Sequence, residues 1–278
     1  MASQDTVHKT AISGTTALFG CIAHPISHVR APTIFNQIFA EAGQDAAMVP
    51  IDIKPENLAC AIAGLCAIPN FKGAAVTIPH KMPLAEHCDE LGAVAQITGA
   101  VNAVRFENGK LYGDNFDGAG FVAGLTGQGH ELADKKILLI GAGGAARALA
   151  YGLCGEAIAQ LDVYNRTAAK AQSLVSAVKG HNESARLSVC EAPDYGSYDI
   201  VINATALGLK PDDAMPCDVD ALASHALVCD IIMVPAETQW LSRANARGLR
   251  CLYGRHMLDY QIGLIGDFIG INNIQRTK

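Results

Sequence analysis

The stretch Lys135-Lys-Ile-Leu-Leu-Ile-Gly141-Ala-Gly143-Gly-Ala-Ala146-Arg constrains this chain more than any other. An apolar strand-like run feeds straight into G-x-G-x-x-A and then into a small-residue helical segment. Gly141 permits the tight turn, Gly143 lets backbone approach a pyrophosphate, and Ala146 is small enough for the helix to pack on the strand. The helix N-terminus then supplies oriented N–H donors for phosphates. A glycine triplet alone is weak and would equally serve a structural turn. Its strand–turn–helix setting points to a bound dinucleotide.

The rest of the chain keeps the same rhythm of strand and helix, the pattern of a parallel sheet covered by helices. Strand-like runs occupy residues 18–23, 48–53, 73–78 and 100–105, with helices expected after Pro32, Pro55 and Pro79. Residues 110–115 read as a short strand or turn before a helix near 116–125, and Gly127-Gln-Gly-His130 marks a loop. A second series follows, with strands at 137–140, 161–164, 200–202 and 227–232 and helices at 145–153, 168–178 and 240–247. An apolar helix over 257–271 closes the chain. At about 150 residues per domain, 278 residues suggest two α/β domains.

Composition excludes several classes. A net charge of −6 argues against nucleic acid or an anionic membrane as partner, since both need clustered positive charge. Half the residues are apolar and 17% charged, enough hydrophobic surface to offset the ordering entropy that keeps disordered chains unfolded. No apolar stretch reaches the ~18 residues of a membrane span. Met1-Ala-Ser-Gln-Asp-Thr6 lacks the order of a secretory signal. The nine cysteines are scattered with no C-x-x-C pair, which predicts free thiols and a cytoplasmic location. His24 and His28 are four apart but flank Pro25 and have no third ligand nearby, so no metal is expected.

The nucleotide's identity turns on the end of the next strand. There, 24 residues beyond Gly141, stands Asn165-Arg166-Thr167. An NAD site usually places an acid here to hold the ribose hydroxyls, whereas a guanidinium can bind a 2′-phosphate. Arg166 therefore favours NADP, against the plainer reading of a solvated charge in a helix cap.

Four polar residues stand in unusual company: Lys81 after Val76-Thr77-Ile-Pro-His80, Asn102 in Gly99-Ala-Val-Asn-Ala103, Asp117 in Gly113-Asp-Asn-Phe-Asp-Gly-Ala-Gly120, and Gln261 in the apolar last helix. Taken singly, each is an ordinary surface or turn residue. Together with His24-Pro-Ile-Ser-His-Val-Arg-Ala-Pro32, Asn203-Ala-Thr205 and the glycine motif, they make a chain that resembles the shikimate/quinate dehydrogenase family along nearly its whole length. The resemblance implies an N-terminal α/β substrate domain, residues 1–116 completed by the C-terminal 256–278, and a Rossmann-like NADP-binding domain over 117–255. It implies an NADP-dependent enzyme, monomer or homodimer, acting on a small cyclic alcohol or hydroxy acid. Lys81 and Asp117 would be the catalytic pair, because an alcohol losing hydride must also lose a proton to a positioned base. Thr77, Asn102 and Gln261 would bind substrate. Gly141, Gly143, Gly144, Ala145, Asn165, Arg166, Thr167 and Thr205 would hold the cofactor.

The sequence departs from this family at one end of the pocket. The family grips its substrate's carboxylate with a Ser-x-Ser pair ahead of a proline and a tyrosine in the second domain. Here those positions read Val29, Ala31 and Met233, and two more polar positions are Ala75 and Phe116. Hydrogen bonds to a charged group contribute roughly 1.5–3 kcal/mol each, so three lost donors cost on the order of 4–9 kcal/mol if they add. That predicts poor use of shikimate and a substrate with a less polar tail. Two alternatives stay open: an ordinary shikimate or quinate dehydrogenase whose acid is held by Arg30 or a histidine, and a non-catalytic NADP-binding regulator. Arg30 lies between two pocket positions, and strand-like alternation turns it outward.

Overall fold

The computed structural model describes residues 12–27 and 29–271. The expectation drawn from the first six residues, and that for His28, lie outside them. The chain forms two compact units, one made of the described residues to Asn115 and from Gly263 onward, the other running from Phe116 to Ile262.

The first unit carries β1 (Ala17–Ala23), α1 (Ala31–Ala42), β2 (Ala46–Asp52), α2 (Leu58–Cys66), β3 (Phe71–Val76), α3 (Lys81–Ala85), β4 (Glu90–Leu91), α4 (Ala93–Thr98), β5 (Ala103–Glu107) and β6 (Lys110–Asp114). Its sheet runs β2-β1-β3-β5-β6-β4. The first three strands are parallel, with Ile22 beside Ile51 and Val76, and β5 then enters antiparallel to β3. The sheet is therefore mixed rather than wholly parallel. One face of the sheet packs into a core of Ile22, Ile62, Phe71, Leu84, Val104 and Leu111. A side chain at Gly73 would meet Ile269 at 2.7 Å, so only a glycine allows that approach.

The second unit carries α5 (Asp117–Gly127), β7 (Lys136–Ile140), α6 (Gly144–Cys154), β8 (Gln160–Tyr164), α7 (Ala168–Lys179), β9 (Leu187–Val189), β10 (Ile200–Asn203), β11 (Leu227–Asp230), α8 (Gln239–Ala246) and β12 (Arg250–Leu252). All six strands are parallel in the order β12-β11-β10-β7-β8-β9. This is the doubly wound arrangement, with β7 central and the glycine motif at its carboxyl end. The last helix, α9 (Gly254–Ile269), divides between the units at Ile262 and Gly263.

Three expectations shift. Residues 100–102 precede β5 rather than lying in it, β11 stops at Asp230 rather than 232, and α9 begins at Gly254, where any Cβ would strike the Ile232 carbonyl at 2.4 Å. All nine cysteines are free. Burial pushes the Cys21 and Cys217 thiols up to about 12, leaving them inert as thiolates. Among the described residues no helix is long and apolar enough to cross a membrane, and no group of three or more His, Cys, Asp or Glu is placed to hold a metal ion.

Candidate active site

In the first unit the candidates gather at the carboxyl ends of the parallel strands, where open α/β sheets bind their ligands. β3 hands its ladder directly to the site. The Thr77 amide donates to the Ile22 carbonyl at 3.0 Å, and the Val76 amide to the Asn102 carbonyl at 2.8 Å. The Asn102 amide donates in turn to Asp114, and the Val101 amide to the Lys81 carbonyl at 2.8 Å. Lys81 and Asn102 are thus fixed to one another through their backbones before any side chain contributes. Asn102 is buried, and Lys81 is half-buried as the first residue of α3.

His80 caps this arrangement from below. It is fully buried, and its Nε2 lies 2.7 Å from the Ile53 carbonyl, pinning the start of α3 to the end of β2. Val29 is half-buried, Arg30 is exposed at the start of α1, and Ala31 is buried as that helix's first residue. None of Val29, Ala31 or Ala75 carries a side-chain donor.

In the second unit, Asp117 is buried at the first turn of α5, and Gln261 is buried on α9. Small residues set their spacing. A Cβ at Gly118 would fall 2.0 Å from the Ala148 carbonyl of α6, and one at Gly120 would fall 2.5 Å from the Cβ of Gln261. Helix α5 is therefore held against α6 on one side and α9 on another, one helical turn separating Asp117 from the Gln261 contact. Phe116 precedes this helix as its N-cap and gives no side-chain cap.

The cofactor candidates converge at the carboxyl edge of the second sheet. Gly141 adopts φ +124°, and a Cβ there would meet the Ala204 carbonyl at 2.7 Å and Thr205 Cγ2 at 3.3 Å. Its amide donates to Tyr164, which places the glycine turn beside Asn165. Gly143 is the N-cap of α6 with no side-chain cap, and a Cβ there would touch nothing within 4 Å. An uncapped helix start with Gly144 and Ala145 in its first turn is a cradle shaped for phosphate oxygens. Asn165 Nδ2 donates to the Thr167 carbonyl at 2.9 Å, bracing the loop on which Arg166 stands exposed. Among the described residues Arg166 forms no ion pair, so its charge is available to a 2′-phosphate. These residues fit an NADP molecule. Gly141→Ala, which combines a left-handed φ with a backbone clash, is expected to cost about 2 kcal/mol of stability and to weaken NADP at least tenfold. Thermal unfolding and cofactor titration check the two effects.

Sequence reasoning did not foresee what holds Thr205 and Met233 in place. Buried Asp230, at the end of β11, accepts from Asn203 Nδ2, from the Ile232 amide at 3.0 Å and from the Thr238 hydroxyl at 2.9 Å. Asn203 Oδ1 accepts in turn from the Thr205 hydroxyl at 2.7 Å, and Thr238 also caps α8. Burial pushes the Asp230 carboxyl up, against the downward pull of these three donors. The network ties the loop carrying Thr205 to the loop carrying half-buried Met233. Threonine ahead of a helix was the available signal, but nothing in the sequence announced its second bond.

Set beside known proteins, residues 21–104 match the family profile of the shikimate dehydrogenase substrate binding domain, and residues 125–210 that of shikimate / quinate 5-dehydrogenase. A relative from Bacillus mycoides (strain KBAB4), named shikimate dehydrogenase (NADP(+)), is 38% identical over 94% of this chain and 96% of its own. The crystal structure of shikimate dehydrogenase from Aquifex aeolicus superposes with a TM-score of 0.85 at 33% identity, covering 96% of this chain and 97% of that one. A ligand-free 5-ketofructose reductase of Gluconobacter sp. strain CHM43 superposes at 0.81 with 30% identity, covering 95% and 96%.

Proposed function

The chain belongs to the shikimate/quinate dehydrogenase family, and we propose that it has kept the residues that oxidise an alcohol while replacing those that read a carboxylate. It is an NADP-linked oxidoreductase acting on a CH–OH donor. Substrate binding is assigned to the lobe of residues 1–116 with 256–278, and cofactor binding to residues 117–255.

NADP, when bound, supplies the hydride acceptor. Lys81 Nζ takes the hydroxyl proton as the C–H bond gives up its hydride, and returns it when the ketone is reduced. Asp117 orients the reacting hydroxyl, and Thr77, Asn102 and Gln261 bind the substrate's other hydroxyls. Gly141, Gly143, Gly144, Ala145 and Thr205 hold the dinucleotide's backbone, and Asn165, Arg166 and Thr167 its adenosine phosphate. The apolar side chains of Val29, Ala31 and Met233 leave the tail of the substrate without donors, so a carboxylate there would lose its hydration without compensation.

What carries this reading is a feature of the sequence: Val29, Ala31 and Met233 stand where the family resemblance places carboxylate-binding hydroxyls and none of them has a hydroxyl, while Lys81, Asp117, Asn102 and Gln261 are kept. The name of the Gluconobacter relative adds support, because 5-ketofructose is a ketone without a carboxylate. A second reading has its own support in the Bacillus name, that of an ordinary shikimate dehydrogenase with the acid held by exposed Arg30.

Screening cyclic alcohols, hydroxy acids and neutral polyhydroxy ketones for NADP turnover tests the proposal. A neutral compound used better than shikimate or quinate supports it, and a hydroxy acid at the top of the ranking contradicts it. The cofactor assignment has a separate check. Arg166→Ala is expected to raise KM for NADP roughly 10–100-fold, the loss of one or two charge-assisted hydrogen bonds, and to change KM for NAD little. Equal losses for both cofactors contradict the role given to Arg166.

A further inference from the structure

Asp230, at the end of β11, is a buried carboxylate that no step of the reaction uses. Its charge is supported only by neutral donors. Asn203 Nδ2 lies 3.2 Å from each of its oxygens, the Ile232 amide 3.0 Å from Oδ1 and the Thr238 hydroxyl 2.9 Å from Oδ2. The two amide nitrogens can only donate, and the Thr238 hydroxyl already accepts from the Leu241 amide, so all three point a proton at this residue. Only a group with no proton of its own satisfies them together. A buried charge without a cation beside it is costly, and a plain structural link between two strand ends does not need one.

The consequence falls on Asn203, the register partner of Asp230 on β10. A side-chain amide has a donor face and an acceptor face, and either can be turned toward a neighbour. The carboxylate accepts only, so it holds Asn203 Nδ2 toward itself, where that nitrogen also donates to the Leu207 carbonyl at 3.0 Å. Asn203 Oδ1 is thereby turned to the chain that follows. It accepts there from the Thr205 amide at 3.0 Å and the Thr205 hydroxyl at 2.7 Å, and that hydroxyl accepts from the Leu207 amide at 3.0 Å. The loop so fixed lies against the glycine turn, where a Cβ at Gly141 would stand 2.7 Å from the Ala204 carbonyl and 3.3 Å from Thr205 Cγ2. With the amide turned over, its nitrogen would face the Thr205 amide, donor against donor, and the loop would have to move.

We propose that Asp230 is a positioning residue for the cofactor: an acceptor without a proton, it sets the orientation of the Asn203 amide and, through it, the Thr205 loop that backs the glycine turn. The inference rests on the cofactor assignment above and adds to it a residue that acts through two others. Asparagine at position 230 fills the same space but carries a donor of its own, so it no longer dictates which way Asn203 faces.

Binding of NADPH to the full chain, followed by the fluorescence of its reduced nicotinamide, tests this without a known substrate. Asp230→Asn is expected to weaken NADPH about tenfold, the size of one hydrogen bond, and Thr205→Val, which removes the hydroxyl held by Asn203, to do the same. In the double variant the loss stays at about tenfold, because both changes break one chain of contacts. A merely structural carboxylate would lower the melting temperature and leave the NADPH affinity of the folded protein within about twofold, or would multiply the loss caused by Thr205→Val. Either result overturns the proposal. Should Asp230→Asn not fold, Asn203→Ala decides, since it keeps the carboxylate with two of its three donors. The same tenfold loss without additivity to Thr205→Val is expected of it, at about the same size, and an absent or additive effect overturns the proposal equally. A wild type that fails to bind NADPH refutes the cofactor assignment itself, whereas a wild type that binds it beside an unaffected Asp230→Asn refutes only the role of Asp230.

Discussion

Lys81→Ala is expected to lower kcat roughly 10²–10⁴-fold on any alcohol this protein oxidises, the usual loss when a positioned acid–base group is removed. The substitution should leave the fold intact. What anchors this residue in the sheet is its carbonyl, which accepts from the Val101 amide, and alanine keeps that carbonyl and suits the first turn of a helix. Binding of NADP should be unchanged, since every residue assigned to the cofactor lies on the second unit. A variant that keeps its turnover refutes the role of Lys81, and one that unfolds would be seen at once in its melting temperature.

The second large effect runs in the opposite direction. Val29→Ser, Ala31→Ser and Met233→Tyr, combined in one chain, are expected to raise kcat/KM for shikimate at least about 100-fold. Each restores a hydroxyl where the resemblance places a carboxylate donor, and charge-assisted hydrogen bonds contribute roughly 1.5–3 kcal/mol apiece. Additivity is poor for groups sharing one ligand, so the low end of the sum is the fair expectation. Ser at 29 and 31 is easily housed at the start of α1, where Arg30 provides no side-chain cap and a serine hydroxyl suits a helix start. Tyr at 233 is held by the same Asp230–Thr238 network that positions the methionine loop. Steady-state kinetics with shikimate, quinate and a neutral ketone, before and after, measures the shift. An unchanged ranking would mean that these positions do not face the substrate's tail.

Much of this architecture was legible in the residues themselves. The run of Ile137 to Ile140 into Gly141-Ala-Gly143 could be read as strand, turn and helix because a buried parallel strand is apolar on both faces and the turn demands glycine. Helix α8 and the helices opened by prolines were equally visible. The short edge strands β4, β9 and β12 were not, since two or three residues carry no periodicity. Helix α4, at six residues, falls below the length at which a pattern can be recognised. The antiparallel entry of β5 is a matter of chain path, and strand composition does not encode it. At the site, residue types announced the glycine turn, whereas Lys81 and Asp117 stood out only through the family resemblance. The Asn203–Asp230–Thr238 network stayed hidden because Asn203 and Asp230 lie 27 positions apart and meet only when β10 and β11 align. The glycines of α5 could be seen, but not that each one admits a neighbouring helix.

The measurement that tests the central claim most directly is kcat/KM of the wild-type protein for shikimate with saturating NADP. An oxidising centre without carboxylate donors predicts a value about a thousandfold or more below the roughly 10⁵ M⁻¹s⁻¹ of an ordinary enzyme on its own substrate, with a neutral polyhydroxy compound exceeding it. A value near or above 10⁵ M⁻¹s⁻¹ on that general scale would contradict the claim and return the protein to plain shikimate oxidation.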